Sequence, residues 1–243
     1  MNAVEIRNLT KQYKQKIAVD NLSLAIPEGE MLALLGVNGA GKTTTVRMLC
    51  CLSEPNSGDA LVDGHSILTD RNAVKRVIGI SPQETSVAEK LTVQENLMFM
   101  AQINELDPET CKARTEEMIA QFHMEEVRNA RAKTLSGGWQ RKLSIAMALI
   151  GNPKVLFLDE PTLGLDVLAR RELWKAIEKL KGKITVILTT HYMEEAEHLA
   201  DRIAILMNGR LCAVGTLAEI EETAGAKGLE NAFVAIAEKE GIL

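Results

Sequence analysis

Hydrophobic residues repeat with two different periods along the chain, and the order of these periods predicts an α/β protein. Residues 4–9 and 18–26 alternate apolar and polar positions, as in a half-buried antiparallel pair of strands. Two further runs flank Asn208-Gly209, a dipeptide that is typical of hairpin turns. Runs that are apolar or β-branched predict strands buried on both faces, and they occupy residues 31–35, 77–80, 155–158 and 184–190.

The pattern changes between residues 87 and 151, where strand signals are absent. The segments LTVQENLMFMAQI and PETCKARTEEMIAQF space their apolar residues as on one face of a helix, with Glu and Lys on the outward face. We therefore expect residues 1–243 to form a single domain. Its α/β core should comprise residues 1–86 and 152–223, with residues 87–151 as an inserted helical subdomain and residues 224–243 as a short C-terminal helix.

A glycine-rich loop separates the first buried strand from a helical pattern that starts near residue 41. Its glycines can adopt backbone angles that other residues rarely adopt, so that successive N–H groups converge on one anion. Lys42 can reach the outer phosphates of a nucleotide, and the Thr43 hydroxyl can ligate Mg²⁺. The spacing Gly-x-x-x-x-Gly-Lys-Thr therefore predicts a site for a nucleoside triphosphate. The residues expected there are Gly36, Asn38, Gly39, Ala40, Gly41, Lys42, Thr43 and Thr44.

Polar side chains end three of the predicted buried strands, at the edge where open α/β sheets bind ligands. Asp159 is placed to hold Mg²⁺, usually through water, and Glu160 to polarise a water for attack on the γ-phosphate. Gln83 could complete the Mg²⁺ shell or sense the γ-phosphate, and His191 could hydrogen-bond that phosphate or the water. Ordinary capping of the strand end is the alternative for the acid pair, and simple solvation the alternative for Gln83.

Two further features have a structural and a functional interpretation. Ser136-Gly137-Gly138 opens an apolar helix and offers a hydroxyl, free N–H groups and a helix dipole. It is either a plain N-cap or, beside the phosphate loop, a second anion site. Tyr13, within KQYKQK, is either a surface aromatic or a stacking face for an adenine ring.

Composition narrows the classes of protein and of partner. The net charge of −5 argues against broad electrostatic binding of nucleic acid, and the aromatic content of 3% against base-stacking platforms. A hydrophobic content of 46% supplies a core, yet no apolar run reaches the roughly 18–20 residues that span a bilayer. The N-terminal segment lacks the apolar region of a signal peptide, so we expect a cytosolic chain whose four cysteines are structural thiols.

Taken together, the motifs resemble those of the nucleotide-binding subunit of ATP-binding cassette (ABC) transporters over nearly the full chain. Residues 36–43 resemble the Walker A loop, and residues 155–160 the Walker B strand with its catalytic acid. Residues 135–140 resemble the family signature Leu-Ser-Gly-Gly-x-Gln, with Trp139 at the variable position. The adenine-stacking aromatic, the Q-loop, the D-loop and the switch histidine correspond to Tyr13, Gln83, residues 163–166 and His191.

This resemblance implies a fold and a mechanism. The fold would be a P-loop NTPase, a RecA-like core with an N-terminal antiparallel β-subdomain and an inserted α-helical subdomain. The activity would be ATP hydrolysis with ATP and Mg²⁺, in a head-to-tail dimer of two copies. Each ATP would lie between one Walker A loop and the partner's signature, and the nucleotide contacts implied beyond the loop are those of Tyr13, Ser136, Gly137, Gly138, Gln140 and Asp166.

The resemblance also implies a membrane partner. A transmembrane permease subunit would bind the helical subdomain, which places the chain peripherally on the cytoplasmic face of the membrane. The segments TTHYMEEAEHLADRIAILMNGR and LENAFVAIAEKEG resemble the ATPases of ABC-2 type exporters of drugs, antibiotics or ions. The alternatives are the ATPase of an importer and a soluble ABC ATPase uncoupled from transport. A cassette that binds ATP without turnover is disfavoured by the presence of Glu160 and His191.

Overall fold

Two sheets and the helices packed on them make up the fold, which a computed structural model describes over residues 1–242. The strands are β1 (Asn2–Tyr13), β2 (Lys16–Pro27), β3 (Met31–Leu35), β4 (Ser57–Val62), β5 (His65–Ser66), β6 (Ile78–Ser81), β7 (Val155–Asp159), β8 (Thr185–Thr190), β9 (Arg202–Met207) and β10 (Arg210–Gly215). The α-helices are α1 (Lys42–Leu49), α2 (Arg71–Val77), α3 (Val93–Ile103), α4 (Pro108–Gln121), α5 (Gly137–Leu149), α6 (Val167–Glu178), α7 (Met193–Leu199), α8 (Leu217–Ala224) and α9 (Leu229–Lys239).

The smaller sheet has the strand order β2-β1-β4-β5, and its pairs are antiparallel. Along β2 every second side chain from Leu22 to Ile26 is buried, which confirms the predicted half-buried pair. Both strands extend beyond the predicted segments. The register of the β1–β2 pair shifts between Ile6 and Leu9 and again before Lys11. Because the strict alternation of apolar and polar residues stops at these irregularities, the sequence pattern predicted strands that are too short.

The larger sheet carries the edge at which the predicted polar residues meet. Its strand order is β10-β9-β3-β8-β7-β6, and the strands are parallel from β9 to β6. All residues of β3, β7 and β8 are buried, as expected of strands covered on both faces. The register pairs Asp159 with Thr189 and Leu35 with Thr190, so the carboxyl ends of three neighbouring strands lie side by side.

Three helices, α3 to α5, lie between β6 and β7 in the chain. A capping box starts α3, since the Thr92 hydroxyl accepts from the Glu95 N–H and the Glu95 carboxylate accepts from the Thr92 N–H. The Asp107 carboxylate caps α4, whose first residue is proline. Apolar side chains of all three helices join one hydrophobic core with β3, β7 and β8. This core fixes α5 against the edge of the larger sheet.

Two chemical expectations of the sequence can be compared with the described residues. All four cysteines are free thiols, of which three are buried. Burial raises the pKa of the Cys50 thiol well above its usual value. Across residues 1–242, no helix combines the length and the apolar character that crossing a bilayer demands.

Candidate functional site

The glycine-rich loop connects β3 to α1 and closes against the smaller sheet. Gly41 is the N-cap of α1 and has a φ of 106°, in the region that favours glycine. A Cβ atom at this position would lie 2.4 Å from the carbonyl oxygen of Ala18 on β2. Glycine is therefore required for the loop to approach β2, and the unpaired N–H groups at the start of α1 face the loop.

Lys42 is held at the centre of this loop. Its side chain is buried, and Nζ donates to the Gly36 carbonyl oxygen at 2.7 Å and to the Val37 carbonyl oxygen at 3.3 Å. The same ammonium lies 3.4 Å from Glu160 Oε1. The buried ammonium has one carboxylate partner and two carbonyl partners under the loop, and it could exchange them for the oxygens of a polyphosphate.

Asp159, the last residue of β7, is fixed by two hydroxyl groups. Thr43 Oγ1 on α1 donates to Asp159 Oδ1 at 3.1 Å, and Thr189 Oγ1 on β8 donates to the same oxygen at 2.5 Å. The Thr189 hydroxyl also accepts from the Glu160 N–H at 3.0 Å. One threonine on the neighbouring strand therefore sets the position of both acidic residues.

Glu160 turns away from the direction of the strand. Its φ of 49° is left-handed, a conformation that costs a non-glycine residue about 1 kcal/mol and is often found at functional sites. Its Oε2 lies 2.8 Å from Nδ1 of His191, while Oε1 faces Lys42. The carboxylate thus joins the phosphate loop to the segment that follows β8.

A pocket of about 590 Å³ opens above these groups. Tyr13 stands at its rim with a half-exposed ring, and its hydroxyl lies 3.3 Å from Ser53 Oγ. The predicted residues that line this pocket are Tyr13, Asn38, Gly39, Ala40, Gly41, Lys42, Thr43, Thr44, Gln83, Glu160 and His191. Gly36 and Asp159 lie just beneath, where they bond Lys42 and Thr43.

The remaining predicted site residues lie elsewhere. Residues 135–140 contribute nothing to the described lining of the pocket. Ser136 is the N-cap of α5, and it and Gly137 are exposed, while Gly138 is half-buried. The Gln140 amide donates to the Ala132 carbonyl oxygen at 3.1 Å, and the Asp166 carboxylate caps α6. Within one chain, the two predicted anion sites are therefore separate.

The buried guanidinium of Arg141 ties α5 to the segment that carries Gln83. It donates to the carbonyl oxygens of Pro82 and Gln83, each at 2.6 Å. Burial lowers the pKa of Arg141, whereas the nearby Asp159 and Glu195 carboxyls raise it. The backbone of Gln83 is thereby anchored, while its side chain is exposed at the pocket.

The oxygen atoms of Thr43 and Asp159 are available to a metal ion beside the pocket. Within residues 1–242, no cluster of three or more His, Cys, Asp or Glu side chains could hold one. Thr43 and Asp159 offer only oxygen atoms, and they do so beside a phosphate-sized loop. This fits Mg²⁺, which is usually bound by one or two protein oxygens together with water and substrate phosphates.

Three residues of the site were not predicted from the sequence. Lys16 and Ala18 line the pocket, and Thr189 supports the acid pair. Leu163, the first residue of the predicted D-loop, also lines the pocket. The basic run around Tyr13 was a signal for Lys16. For Thr189 the only signal was its place near the polar end of a buried strand.

Comparison with known proteins gives a consistent result. The family described as "ABC transporter" matches residues 19–163. The chain is 41% identical over 228 residues to the daunorubicin/doxorubicin resistance ATP-binding protein DrrA of Streptomyces peucetius. The match covers 93% of this chain and 69% of that protein. It is also 41% identical over 227 residues to the phospholipid-transporting ATPase ABCA3 of Rattus norvegicus. That match covers 92% of this chain, which spans only 13% of ABCA3.

Solved structures show the same relationship. An ATP-binding subunit of an ABC transporter superimposes with a TM-score of 0.87 at 29% identity, covering 97% of this chain and 99% of the other. The dimeric cassette MJ0796, in a post-hydrolysis state bound to ADP and Pi, has a TM-score of 0.79 at 29% identity, covering 88% and 98%. The chain therefore belongs to the ABC transporter family, in which it is an ATP-binding, ATP-hydrolysing P-loop domain of the predicted fold class.

Proposed function

We propose that two copies of this chain pair head to tail around two ATP molecules and drive export through a separate transmembrane permease. The observation that carries the proposal is the separation of the phosphate pocket from the exposed Ser136-Gly137 start of α5. Each is an anion site of the kind found at helix N-termini. A two-fold pairing of the same surface on both copies would bring each pocket to the partner's α5. The dimeric state of the related cassette MJ0796 supports this arrangement.

In the proposed reaction, Lys42 and the loop N–H groups bind the β- and γ-phosphates of ATP. Incoming phosphate oxygens compete with Glu160 for the Lys42 ammonium, now 3.4 Å from that carboxylate. Glu160 is then free to accept a proton from the attacking water. His191, paired with Glu160 at 2.8 Å, holds this carboxylate and reaches the γ-phosphate.

Two oxygen donors would hold Mg²⁺ in this site. Thr43 and Asp159 have their oxygens 3.1 Å apart, and the exposed Gln83 side chain stands at the same pocket. When bound, Mg²⁺ would supply positive charge that neutralises the phosphate oxygens. Thr189 keeps Asp159 in place for this role through its hydrogen bond to Oδ1.

The permease is proposed to bind an apolar groove that shares no lining residue with the nucleotide pocket. This groove of about 380 Å³ lies between β6, α3 and α5. Its wall includes Leu52, Ile80, Met100 and Met147, and Leu52 is largely exposed. A short cytoplasmic helix of a membrane subunit, with an apolar face, fits such a groove. The chain would then lie on the cytoplasmic face of the membrane, and the likeness to DrrA supports export.

The dimer model is tested with Glu160→Gln, which removes the proton acceptor and keeps the shape of the side chain. We expect the variant to bind ATP normally and to elute as a dimer in size-exclusion chromatography with ATP and Mg²⁺, because the closed state no longer turns over. Lys42→Ala is the control, since it weakens ATP binding and should stay monomeric. A monomeric Glu160→Gln protein with normal turnover would refute the proposal.

The transport step needs its own measurement. The chain should be reconstituted in liposomes with a candidate permease subunit, with candidate cargos supplied on either side. ATP-dependent movement away from the ATPase face is expected. Movement towards that face would contradict export, and ATP hydrolysis unaffected by the permease would contradict coupling.

A further inference from the structure

One buried carboxyl group near the pocket has no role in the reaction described above. Glu195 lies in the first turn of α7, four residues after His191, and its exposed fraction is 0%. The Trp174 indole N–H on α6 donates to its Oε1 at 3.1 Å. Within residues 1–242 its Oε2 makes no hydrogen bond. Burying such an oxygen without a partner is unfavourable, so we expect polar groups to lie next to it.

Two hydroxyl groups from the catalytic loops adjoin this carboxyl. Thr162 follows Glu160 by two residues, and Thr190 directly precedes His191. The Thr162 hydroxyl is also buried and makes no hydrogen bond among the described residues. The Thr190 hydroxyl accepts from the Tyr192 N–H at 2.9 Å, which leaves its own proton available for the carboxyl.

Several groups around Glu195 shift its pKa, and the net direction is upward. Burial is the largest influence and raises the pKa; the adjacent Thr190 and Thr162 hydroxyls and the Trp174 N–H lower it, and the Glu160 carboxylate raises it again. Arg141 on α5 is the cation that faces both Glu195 and Asp159. A carboxyl oxygen can accept from a neighbouring hydroxyl, and its protonated form can also donate to one.

Two ring contacts join α6 to α7 on either side of this carboxyl. The Arg170 guanidinium lies 4.7 Å from the Tyr192 ring, and the Trp174 ring lies 4.7 Å from the His198 ring. Helix α6 follows the loop that carries Glu160, and α7 follows the segment that carries His191. Glu195 therefore lies where the two loops and the two helices meet.

We propose that Glu195 is a positioning residue for ATP hydrolysis, whose carboxyl joins the loop after β7 to the segment after β8 and so keeps Glu160 and His191 paired. Glu195 is not among the described residues that line the nucleotide pocket. The inference rests on the proposed roles of Glu160 and His191. It goes beyond them by assigning their alignment to a buried group on the outer helix.

The test compares Glu195→Ala and Glu195→Gln with the same changes at Glu194, its exposed neighbour. For Glu195→Ala we expect kcat for ATP to fall about tenfold or more, with KM and the ATP dissociation constant within about twofold of normal. Glu195→Gln keeps one donor and one acceptor, so it should retain at least about half of the activity. The Glu194 variants should match the unmodified chain.

Several outcomes would overturn the proposal. One is a folded Glu195→Ala protein with normal kcat, and another is a parallel loss of kcat and ATP binding, which indicates general destabilisation. A Glu195→Gln protein as inactive as the alanine variant would do the same. If Glu195→Ala does not fold, Thr162→Val decides: a normal kcat in that folded variant contradicts the proposal.

A double variant separates this inference from the proposed function. If Glu195 acts through His191, Glu195→Ala should lower kcat little further in a His191→Ala background. Additive losses would show that Glu195 does not act through His191 and would overturn the proposal. A normal kcat in His191→Ala alone would instead refute the role of His191, whatever Glu195→Ala does.

Discussion

Thr189 illustrates how a single hydroxyl group can support two acidic residues. Its proton goes to Asp159 and its lone pair accepts from the Glu160 N–H. Thr189→Val keeps the shape and removes both bonds. Because hydrogen bonds to charged groups are worth about 1.5–3 kcal/mol, we expect kcat to fall roughly 10- to 100-fold. Phosphate release measured at saturating ATP and Mg²⁺ checks this.

Thr185→Val is the matched control for this prediction. Thr185 lies at the opposite end of β8, is buried to a similar degree, and its hydroxyl accepts from the Gly29 N–H at 2.9 Å. Both valine variants should lose comparable thermal stability, whereas only Thr189→Val should lose turnover. An equal loss of kcat in both would mean that the effect is structural.

At the level of single residues, the sequence predicted the reactive groups better than their supports. Lys42, Glu160 and His191 belong to recognisable patterns, and the structure places the Glu160 carboxylate 3.4 Å from Lys42 and 2.8 Å from His191. Thr189 and Glu195 could not be found this way. The role of Thr189 depends on the β7–β8 register, and that of Glu195 on the packing of α7 against α6. Neither relation leaves a local pattern in the chain.

At the level of elements, the hydrophobic patterns predicted where strands lie, but they gave no strand order. The Asn208-Gly209 hairpin is confirmed between β9 and β10, because a two-residue turn fixes its own neighbours. The pairing of β1 with β4 and the place of β9 beside β3 arise from distant segments, which periodicity does not report. The boundaries of residues 87–151 stay a prediction, since α3 to α5 share their core with the larger sheet.

Arg141 is the contact through which α5 can act on the Gln83 segment. Arg141→Met keeps much of the side-chain length and removes both bonds to the Pro82 and Gln83 carbonyl oxygens. We expect proteolytic cleavage within residues 83–87 to speed up about tenfold or more, because each tenfold corresponds to about 1.4 kcal/mol of lost local stability. Limited proteolysis with a protease that cuts after Glu84 measures this directly.

The neighbouring lysine provides the comparison. Lys142→Met removes a bond of 2.9 Å to Glu172, whose side chain is mostly exposed, and such pairs contribute little. Cleavage within residues 83–87 should therefore remain normal in Lys142→Met. If both variants speed up cleavage alike, the segment responds to α5 as a whole and Arg141 has no special part.

For the whole molecule, the main functional feature is that the signature motif lies apart from the other motifs. The pocket gathers the loop, the acids and the histidine, whereas the signature start of α5 presents exposed Ser136 and Gly137 elsewhere. The order of motifs predicted the family, and the comparisons confirm it. The cargo could not be predicted, because in the proposed arrangement it passes through the permease, and the contribution of this chain ends at the groove for that subunit.

Mixing two inactive variants tests the shared site most directly. Lys42→Ala spoils the pocket and leaves α5 intact, while Ser136→Arg places a bulky cation at α5 and leaves the pocket intact. A mixed dimer therefore contains one site with both defects and one with neither. Because neither variant closes a dimer with itself, every closed dimer in an equimolar mixture is mixed and holds one intact site of two, so we expect ATPase activity of up to about half of normal. Activity no higher than the mean of the two variants alone would show that each chain completes its own site.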